Sequence, residues 1–416
     1  MNYRHRFMET KLARMREVLP VLLVTGPRQA GKSTLLAHSV PNAKHVVFDP
    51  VIDVANARED PELFLGQYLA PVILDEIQYA PELLGVIKRW TDRSPEPGQY
   101  FLSGSQNLSM LRSVSESLAG RVAILELPLL SLAERCGLGG DVSLPWVADL
   151  FEEDAFDRLS VRDRLPVRDL EPTLFSRLWR GGYPRFLDMP NDVLPDLFRS
   201  YVQTYVERDV RQVADVSDQQ LFTRFLALCA AITGQEVNHS QLGRELGVTP
   251  QTAARWLATL TATYQWTEIP PYHGNTIKRI SKRPKGYFVD TGLAAWLQRI
   301  SSPEALAGHP LQGALFETHV TQDILRSAQL LQTPPRAHHW RSHAGAEVDL
   351  VLERDGQFVP VEIKSKTRVT AGDARGIRAF RETYPALRQG TAAIVAAVER
   401  VSSLGEDITV IPYDLA

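Results

Sequence analysis

Eight consecutive residues restrict this chain more than any others: Gly26-Pro27-Arg28-Gln29-Ala30-Gly31-Lys32-Ser33. A glycine, four free positions and then Gly-Lys-Ser is the pattern of a phosphate-binding loop. The apolar run Val21-Leu22-Leu23-Val24 before it reads as a buried strand, and Thr34-Leu35-Leu36-Ala37 after it reads as helix. Strand, glycine loop and helix form the setting in which such a loop works. Gly26 and Gly31 let the backbone fold tightly, so that its amides face phosphate oxygens, and the helix N-terminus adds partial positive charge. On this reading the stretch from Gly26 to Thr34 cradles the nucleotide. Lys32 reaches the β- and γ-phosphates, and the Ser33 hydroxyl binds Mg²⁺.

The second half of a nucleoside triphosphatase site follows at a suitable distance. Val72-Ile73-Leu74 is a hydrophobic strand that ends in Asp75-Glu76. Asp75 is expected to hold the Mg²⁺ shell, and Glu76 to polarise the attacking water as general base. ATP and Mg²⁺ are therefore the expected cofactors. Further strands are predicted at Val46–Asp49, Gln99–Leu102 and Val122–Leu125. The polar cluster Ser103-Gly104-Ser105-Gln106-Asn107 ends one of them; it is either an ordinary polar turn or a site from which Ser105 or Gln106 meets the γ-phosphate or the water. Gly120-Arg121 precedes the last strand. Arg121 is expected near the nucleotide end of the sheet, where it would stabilise transition-state charge in its own or a neighbouring subunit. A helix-end cation offsetting the dipole is the alternative for Arg121.

Composition limits the remaining possibilities. The chain has 416 residues, enough for about two or three domains. Its formal net charge of -3 gives no global signal for nucleic acid, so any such surface must be local. Two cysteines, Cys136 and Cys229, are too few for a disulfide framework or a cysteine zinc site, and they fit a reducing cytoplasm. No apolar run approaches the roughly 20 residues of a membrane span, so no membrane is expected as a partner.

The motifs Gly-Pro-Arg-Gln-x-Gly-Lys-Ser-Thr, Leu-Asp-Glu-Ile-Gln, Ser-Gly-Ser and Leu-x-Gly-Arg together resemble a family of uncharacterised prokaryotic AAA-type ATPases with a C-terminal domain of unknown function. The resemblance implies a parallel sheet with the catalytic-glutamate strand next to the phosphate-loop strand. It extends to the turn Gly181-Gly182-Tyr183-Pro184, to Arg208-Asp209 and to Lys285-Gly286-Tyr287-Phe288-Val289-Asp290-Thr291-Gly292-Leu293. Arg208-Asp209 reads first as a solvated charge pair, with contact between Arg208 and a neighbouring subunit's nucleotide as the alternative.

Between the ATPase part (1–136) and the rest lies an irregular segment with short helices, then a helix over about Leu194–Val213 (region 137–220). Residues 221–300 carry a helix-turn-helix pattern. Ser240–Leu246 forms the first helix, Gly247-Val248 the turn, and Thr249-Pro250 an N-cap and first helical residue. The second helix is expected to bury Ala254, Leu257 and Leu260 and to offer Gln251, Thr252 and Arg255 to a major groove. The basic run that follows includes Lys278, Arg279, Lys282, Arg283 and Lys285, and suits a winged-helix wing that grips phosphates. A lid or protein-docking module is the competing reading.

In 301–416, Glu317 lies on a predicted helix. Asp349 lies on a strand, and Glu362-x-Lys364 lies on its hairpin partner. Residues two apart on a strand share a face. The four resemble the core of PD-(D/E)XK nucleases, in which Asp349 and Glu362 would share Mg²⁺, Glu317 would complete the pocket, and Lys364 would activate water and stabilise the oxyanion. His338, His339 and His343 read as loop residues, because hard carboxylate ligands favour Mg²⁺.

The expected fold class is α/β throughout: an AAA-like P-loop sheet, a helical and winged-helix middle, and a restriction-endonuclease-like end. Three functions compete. One is an ATP-driven, homo-oligomeric enzyme acting on DNA, including branched DNA such as Holliday junctions, with a metal-dependent nuclease site. Another is a nucleotide-switched DNA- or protein-binding protein with an inactive nuclease fold. The third is a protein-sensing signalling ATPase that touches no nucleic acid.

Overall fold

A computed structural model describes residues 3–48, 54–104, 114, 116–140, 145–205, 210, 218–274, 283–405 and 407–416. The expectations placed on Ser105, Gln106, Arg208, Lys278, Arg279 and Lys282 lie outside these residues.

Five parallel strands form the N-terminal sheet: β1 Val21–Thr25, β2 Lys44–Val47, β3 Val72–Asp75, β4 Tyr100–Ser103 and β5 Val122–Glu126. Their order is β2-β3-β4-β1-β5. β1, β3 and β4 are buried along their full lengths, as near-continuous apolar runs in a parallel sheet should be. One apolar layer joins Val21, Leu23, Leu74 and Leu102 to the helix Leu83–Arg93. The other joins Leu22, Val24 and Phe101 to the helices Met8–Arg16 and Lys32–Ser39. β4 is inserted between β1 and β3, so the acidic strand is not the neighbour of the phosphate-loop strand that the family resemblance implied. Both still end on the same edge, because all five strands are parallel.

The strand direction also corrects the placement of Arg121. Val21 pairs with Val122, and Thr25 pairs with Glu126. Arg121 therefore stands where β5 begins, at the end of the sheet opposite the loop that leaves Thr25. Its guanidinium pairs with Asp92 and donates to the Ala119 carbonyl at 2.9 Å. It cannot serve the nucleotide of its own subunit.

The middle region begins with short helices, among them Ala155–Ser160 and Leu174–Arg180, and continues with Leu194–Tyr205. Next come the helix Gln219–Ala231, β6 Gln235–Glu236, the helices His239–Leu246 and Pro250–Ala262, β7 Trp266–Ile269 and β8 Lys285–Phe288. The last three strands form an antiparallel sheet in the order β6-β8-β7. Gly247 adopts φ +73° between the two helices, a conformation that favours glycine. Thr249 caps the second helix through the Thr252 amide at 3.1 Å, a contact worth about 1 kcal/mol. That helix buries Ala253, Trp256, Leu257 and Leu260, while Ala254 is only partly covered.

The C-terminal sheet comprises β9 Arg336–Arg341, β10 Glu347–Arg354, β11 Gln357–Lys364, β12 Arg388–Gln389, β13 Ala392–Ala396, β14 Ser402–Ser403 and β15 Ile408–Pro412. β9, β10 and β11 are antiparallel, whereas β13 runs parallel to both β11 and β15, so the sheet is mixed. The helix Gln312–Ala328 packs on it, and Phe316 and Val320 are buried with Val361 and Ile363. His338 and His339 lie on β9 rather than in a loop, and His338 Nε2 meets Glu353 Oε2 at 3.2 Å. One apolar core runs from Leu129 through the middle region to Leu415.

Two buried turns tie these regions together. The Asp290 carboxylate accepts from the Gly182 amide at 2.6 Å and from the Leu293 amide at 2.8 Å. The Gly182 carbonyl in turn accepts from the Leu130 amide at 3.2 Å. A side chain at Gly181 has no room, since its Cβ would lie 2.3 Å from Asp290 Oδ1.

Candidate functional site

The phosphate-binding loop joins β1 to the helix that starts at Lys32. Gly26 takes φ +138°, and a Cβ there would lie 2.2 Å from the Leu127 carbonyl oxygen. Gly31 takes φ +94° at the helix N-cap. Only glycine meets both demands without strain. The Lys32 side chain is buried, and its ammonium donates to the carbonyls of Gly26 at 3.0 Å and Pro27 at 2.9 Å. Arg6 pins the loop. It donates to the Ala30 carbonyl at 2.7 Å and to the Pro128 carbonyl at 2.7 Å, and it pairs with Glu134 at 3.1 Å.

Asp75 and Glu76 arrive on the same edge from β3. Ser103, at the end of β4, is wholly buried, and its hydroxyl hydrogen-bonds Asp75 Oδ1. The Ser103 hydroxyl oxygen also accepts from the Glu76 amide at 3.2 Å. Glu76 has φ +59°, a left-handed conformation that turns its side chain off the strand axis, and Gln78 Nε2 donates to its Oε2 at 2.5 Å. His45 Nε2 lies 3.4 Å from Asp75 Oδ2. A cavity of about 750 Å³ is lined by Gln29 to Thr34 and by Glu76, and Tyr3, Arg6 and Arg185 complete its walls.

Pattern reading named Ser105 and missed Ser103, although the Ser-Gly-Ser cluster contained it. It also missed Arg6 and Arg185. Arg185 follows the Gly181–Pro184 turn, which was noticed only for its shape. Arg6 carried no signal, because its partners lie 24 and more residues away.

In the C-terminal sheet the register pairs Leu350 with Val361, which puts Asp349 opposite Glu362 as the alternation required. Asp349 Oδ2 accepts from the Ile363 amide at 2.9 Å, and Lys364 donates to Glu362 Oε1 at 2.5 Å. The arrangement departs from expectation at Lys285. That residue is buried in β8, 3% exposed, and does not stand on a solvated wing. Its ammonium lies 2.6 Å from Glu317 Oε1, 3.0 Å from Asp349 Oδ1 and 3.2 Å from Glu347 Oε1. Tyr287, two residues on and therefore on the same face, donates to Glu317 Oε1 at 2.7 Å. Lys285 is thus withdrawn from any DNA-phosphate role, because its charge is already neutralised inside the protein. Arg283, two residues earlier, is exposed.

Electrostatics follow from this packing. Burial, together with the Asp349 charge, pushes the Glu362 carboxyl up to about 8 and the Glu317 carboxyl to about 7. Burial works against ionised Asp349 too, but Lys285 and Lys364 outweigh it and hold the group below the ordinary range. Burial opposes the Lys285 charge, and the surrounding acids overcome it. Glu317, Asp349 and Glu362 do not bring three ligand oxygens within 4.8 Å of one another. Among the described residues only His5, Glu9 and His38 bring three ligand atoms, two ring nitrogens and a carboxylate oxygen, within that distance.

Gln251 and Arg255 are exposed one turn apart on the helix Pro250–Ala262, and Thr252 is half-buried.

The parallel sheet, the glycine loop and the Asp75-Glu76 edge define a P-loop ATPase of the AAA type. Residues 19–136 match the family model described as an AAA domain. Residues 171–304 and 312–416 match two models described as domains of unknown function (DUF8612 and DUF4143). An uncharacterized protein of Mycobacterium tuberculosis is 31% identical over 408 residues, covering 97% of this chain and 82% of its own length. An uncharacterized protein of Mycobacterium bovis matches equally. The chain belongs to the family of these uncharacterized AAA-domain proteins. Among solved structures, a Walker-type ATPase of Pyrococcus abyssi has TM-score 0.42 at 15% identity, covering 71% of this chain and 99% of that one. A RuvB Holliday junction branch migration motor of Thermotoga maritima has TM-score 0.31 at 17% identity, covering 66% and 94%. No described helix is long and apolar enough to cross a membrane.

Proposed function

We propose that this chain is a Mg²⁺-dependent ATPase whose nucleotide cycle acts on a DNA-binding middle region. The observation that carries the reading is the shared cavity, lined by Arg28 to Thr34 of the loop and by Glu76. The residues fit the ligand. Lys32 now donates to two loop carbonyls, and phosphate oxygens would compete for that ammonium. Ser33 and Asp75 offer the hard oxygen ligands that Mg²⁺ prefers. The ion, when bound, would neutralise charge on the β- and γ-phosphates. Glu76 takes the proton of the attacking water at its carboxylate, held in place by Gln78 and by the amide that Ser103 fixes. Phosphate release from ATP that needs Mg²⁺ and disappears in Lys32→Ala tests this reading.

The DNA part rests on the middle region. Its helices and β6-β8-β7 sheet follow a winged-helix order, and Gln251 and Arg255 are exposed on the second helix. With Lys285 buried, phosphate contacts fall to Arg283 and to Lys278, Arg279 and Lys282. Each lost contact should flatten the logarithmic salt slope on duplex DNA by about 0.9. Affinity unchanged in an Arg279→Ala/Lys282→Ala protein at low salt would favour protein docking instead.

The C-terminal sheet supports a nuclease-like fold through Asp349 and Glu362. The Lys285 ammonium among its acids favours the reading in which that fold does not cut DNA as it stands. Nicking of junction, flap or plasmid DNA by the wild type, lost in Asp349→Ala and in Lys364→Ala, would reverse this preference.

A further inference from the structure

The acids of the C-terminal sheet come from separate elements. Glu317 belongs to the helix Gln312–Ala328, Glu347 and Asp349 to β10, and Glu362 to β11. Three of them meet on one atom, Lys285 Nζ, which is supplied by a different sheet. A divalent cation with oxygen ligands would need that same space, at about 2.0–2.6 Å from each oxygen. The ammonium holds its acids at 2.6 to 3.2 Å, too far apart to close on a metal. On the other flank, Glu362 Oε2 is buried with no hydrogen-bond partner. It faces a cavity of about 320 Å³ lined by Glu347, Asp349, Lys364 and Gly376 among others. A buried carboxyl oxygen without a partner is costly. A cation shared with Asp349 would satisfy it.

We propose that Lys285 is the resident cation of the acidic cluster formed by Glu317, Glu347 and Asp349. It is an intramolecular substitute for a divalent metal that locks β8 to the C-terminal sheet, and Mg²⁺ or Mn²⁺ enters only when Lys285 is withdrawn. This rests on the nuclease-like reading of the sheet, but it concerns cation binding rather than cleavage. It also explains why a lysine sits at the end of a buried strand. Three acids supply the compensation that a buried ammonium requires, and removal of the ammonium leaves them repelling one another until another cation arrives.

Mn²⁺ binding to the full-length, nucleotide-free protein, read by electron paramagnetic resonance, tests the proposal. Wild type and Lys285→Arg should show no Mn²⁺ site that depends on Asp349. Lys285→Met should gain one, and Lys285→Met/Asp349→Ala should bind Mn²⁺ at least about tenfold more weakly than Lys285→Met. If Lys285→Met is unfolded alone, Mn²⁺ should restore its circular dichroism. An Asp349-dependent site in wild type overturns the proposal, and so does a Lys285→Met protein that neither binds Mn²⁺ nor is refolded by it. A Lys285→Met protein that binds Mn²⁺ but cuts no DNA would remove cleavage and leave the role of Lys285 standing.

Discussion

Ser103 makes one hydroxyl serve both acids of the ATPase site. It hydrogen-bonds the Asp75 carboxylate and accepts the Glu76 amide. Ser103→Ala should leave both groups short of a buried partner, at a cost of about 1–3 kcal/mol. Thermal unfolding should show that loss, and ATP turnover should fall with it. Turnover equal to wild type would show that Asp75 and Glu76 do not need the hydroxyl. The C-terminal acids give a pH prediction. Glu362, at about 8, and Glu317, at about 7, both bind protons more tightly in the folded chain than in the unfolded one. Their stabilising contribution is complete below the ordinary carboxylate range and is lost as pH rises through about 7 and 8. Asp349 has the opposite sign, and its contribution is lost only as pH falls below the ordinary carboxylate range. The melting temperature should therefore drop between pH 5 and pH 8, and Glu362→Gln should flatten that drop. At this scale the sequence was partly legible. Glu362-x-Lys364 was read correctly as one face, and the same spacing in Lys285-x-Tyr287 would have placed Lys285 inward. The flanking basic run masked that signal.

Single elements were the most legible level. The phosphate-binding loop is local, so eight residues and their flanking apolar runs defined strand, turn and helix. The Thr249-Pro250 cap did the same for the second helix of the middle region. What failed was long-range order. No local pattern states that β4 lies between β1 and β3, or that Arg121 enters the sheet at the end away from the loop, because both depend on strand pairing and direction. The loop itself yields a stringent prediction. Gly26→Ala would place a methyl group 2.2 Å from the Leu127 carbonyl oxygen, on a backbone at φ +138°. The loop must move, and ATP affinity should fall by about tenfold or more, since about 1.4 kcal/mol of strain already costs that much. Isothermal titration with ATP checks it, and unchanged affinity would mean that the loop is not held against Leu127 in solution.

Across the whole molecule, β8 links two sites. Lys285 at its start reaches the C-terminal acids, and Asp290, just past its end, holds the Gly181-Gly182 turn whose continuation, Pro184 and Arg185, walls the nucleotide cavity. Arg121, excluded from its own nucleotide, is half-buried at the opposite rim of the ATPase sheet, which leaves a neighbouring subunit's nucleotide as the one it could serve. If it acts there, mixing Arg121→Ala with Lys32→Ala protein should restore turnover, because some composite sites regain both groups. Turnover that stays absent in the mixture, with each variant folded, would assign Arg121 to its ion pair with Asp92 alone. The proposed function depends on Glu76 acting as the base of an ATPase. Its most direct test is ATP binding and ATP turnover measured together in wild type and Glu76→Gln. Binding should be retained while turnover falls about 100-fold or more, the size of a lost general base. Equal turnover in the two proteins would contradict it.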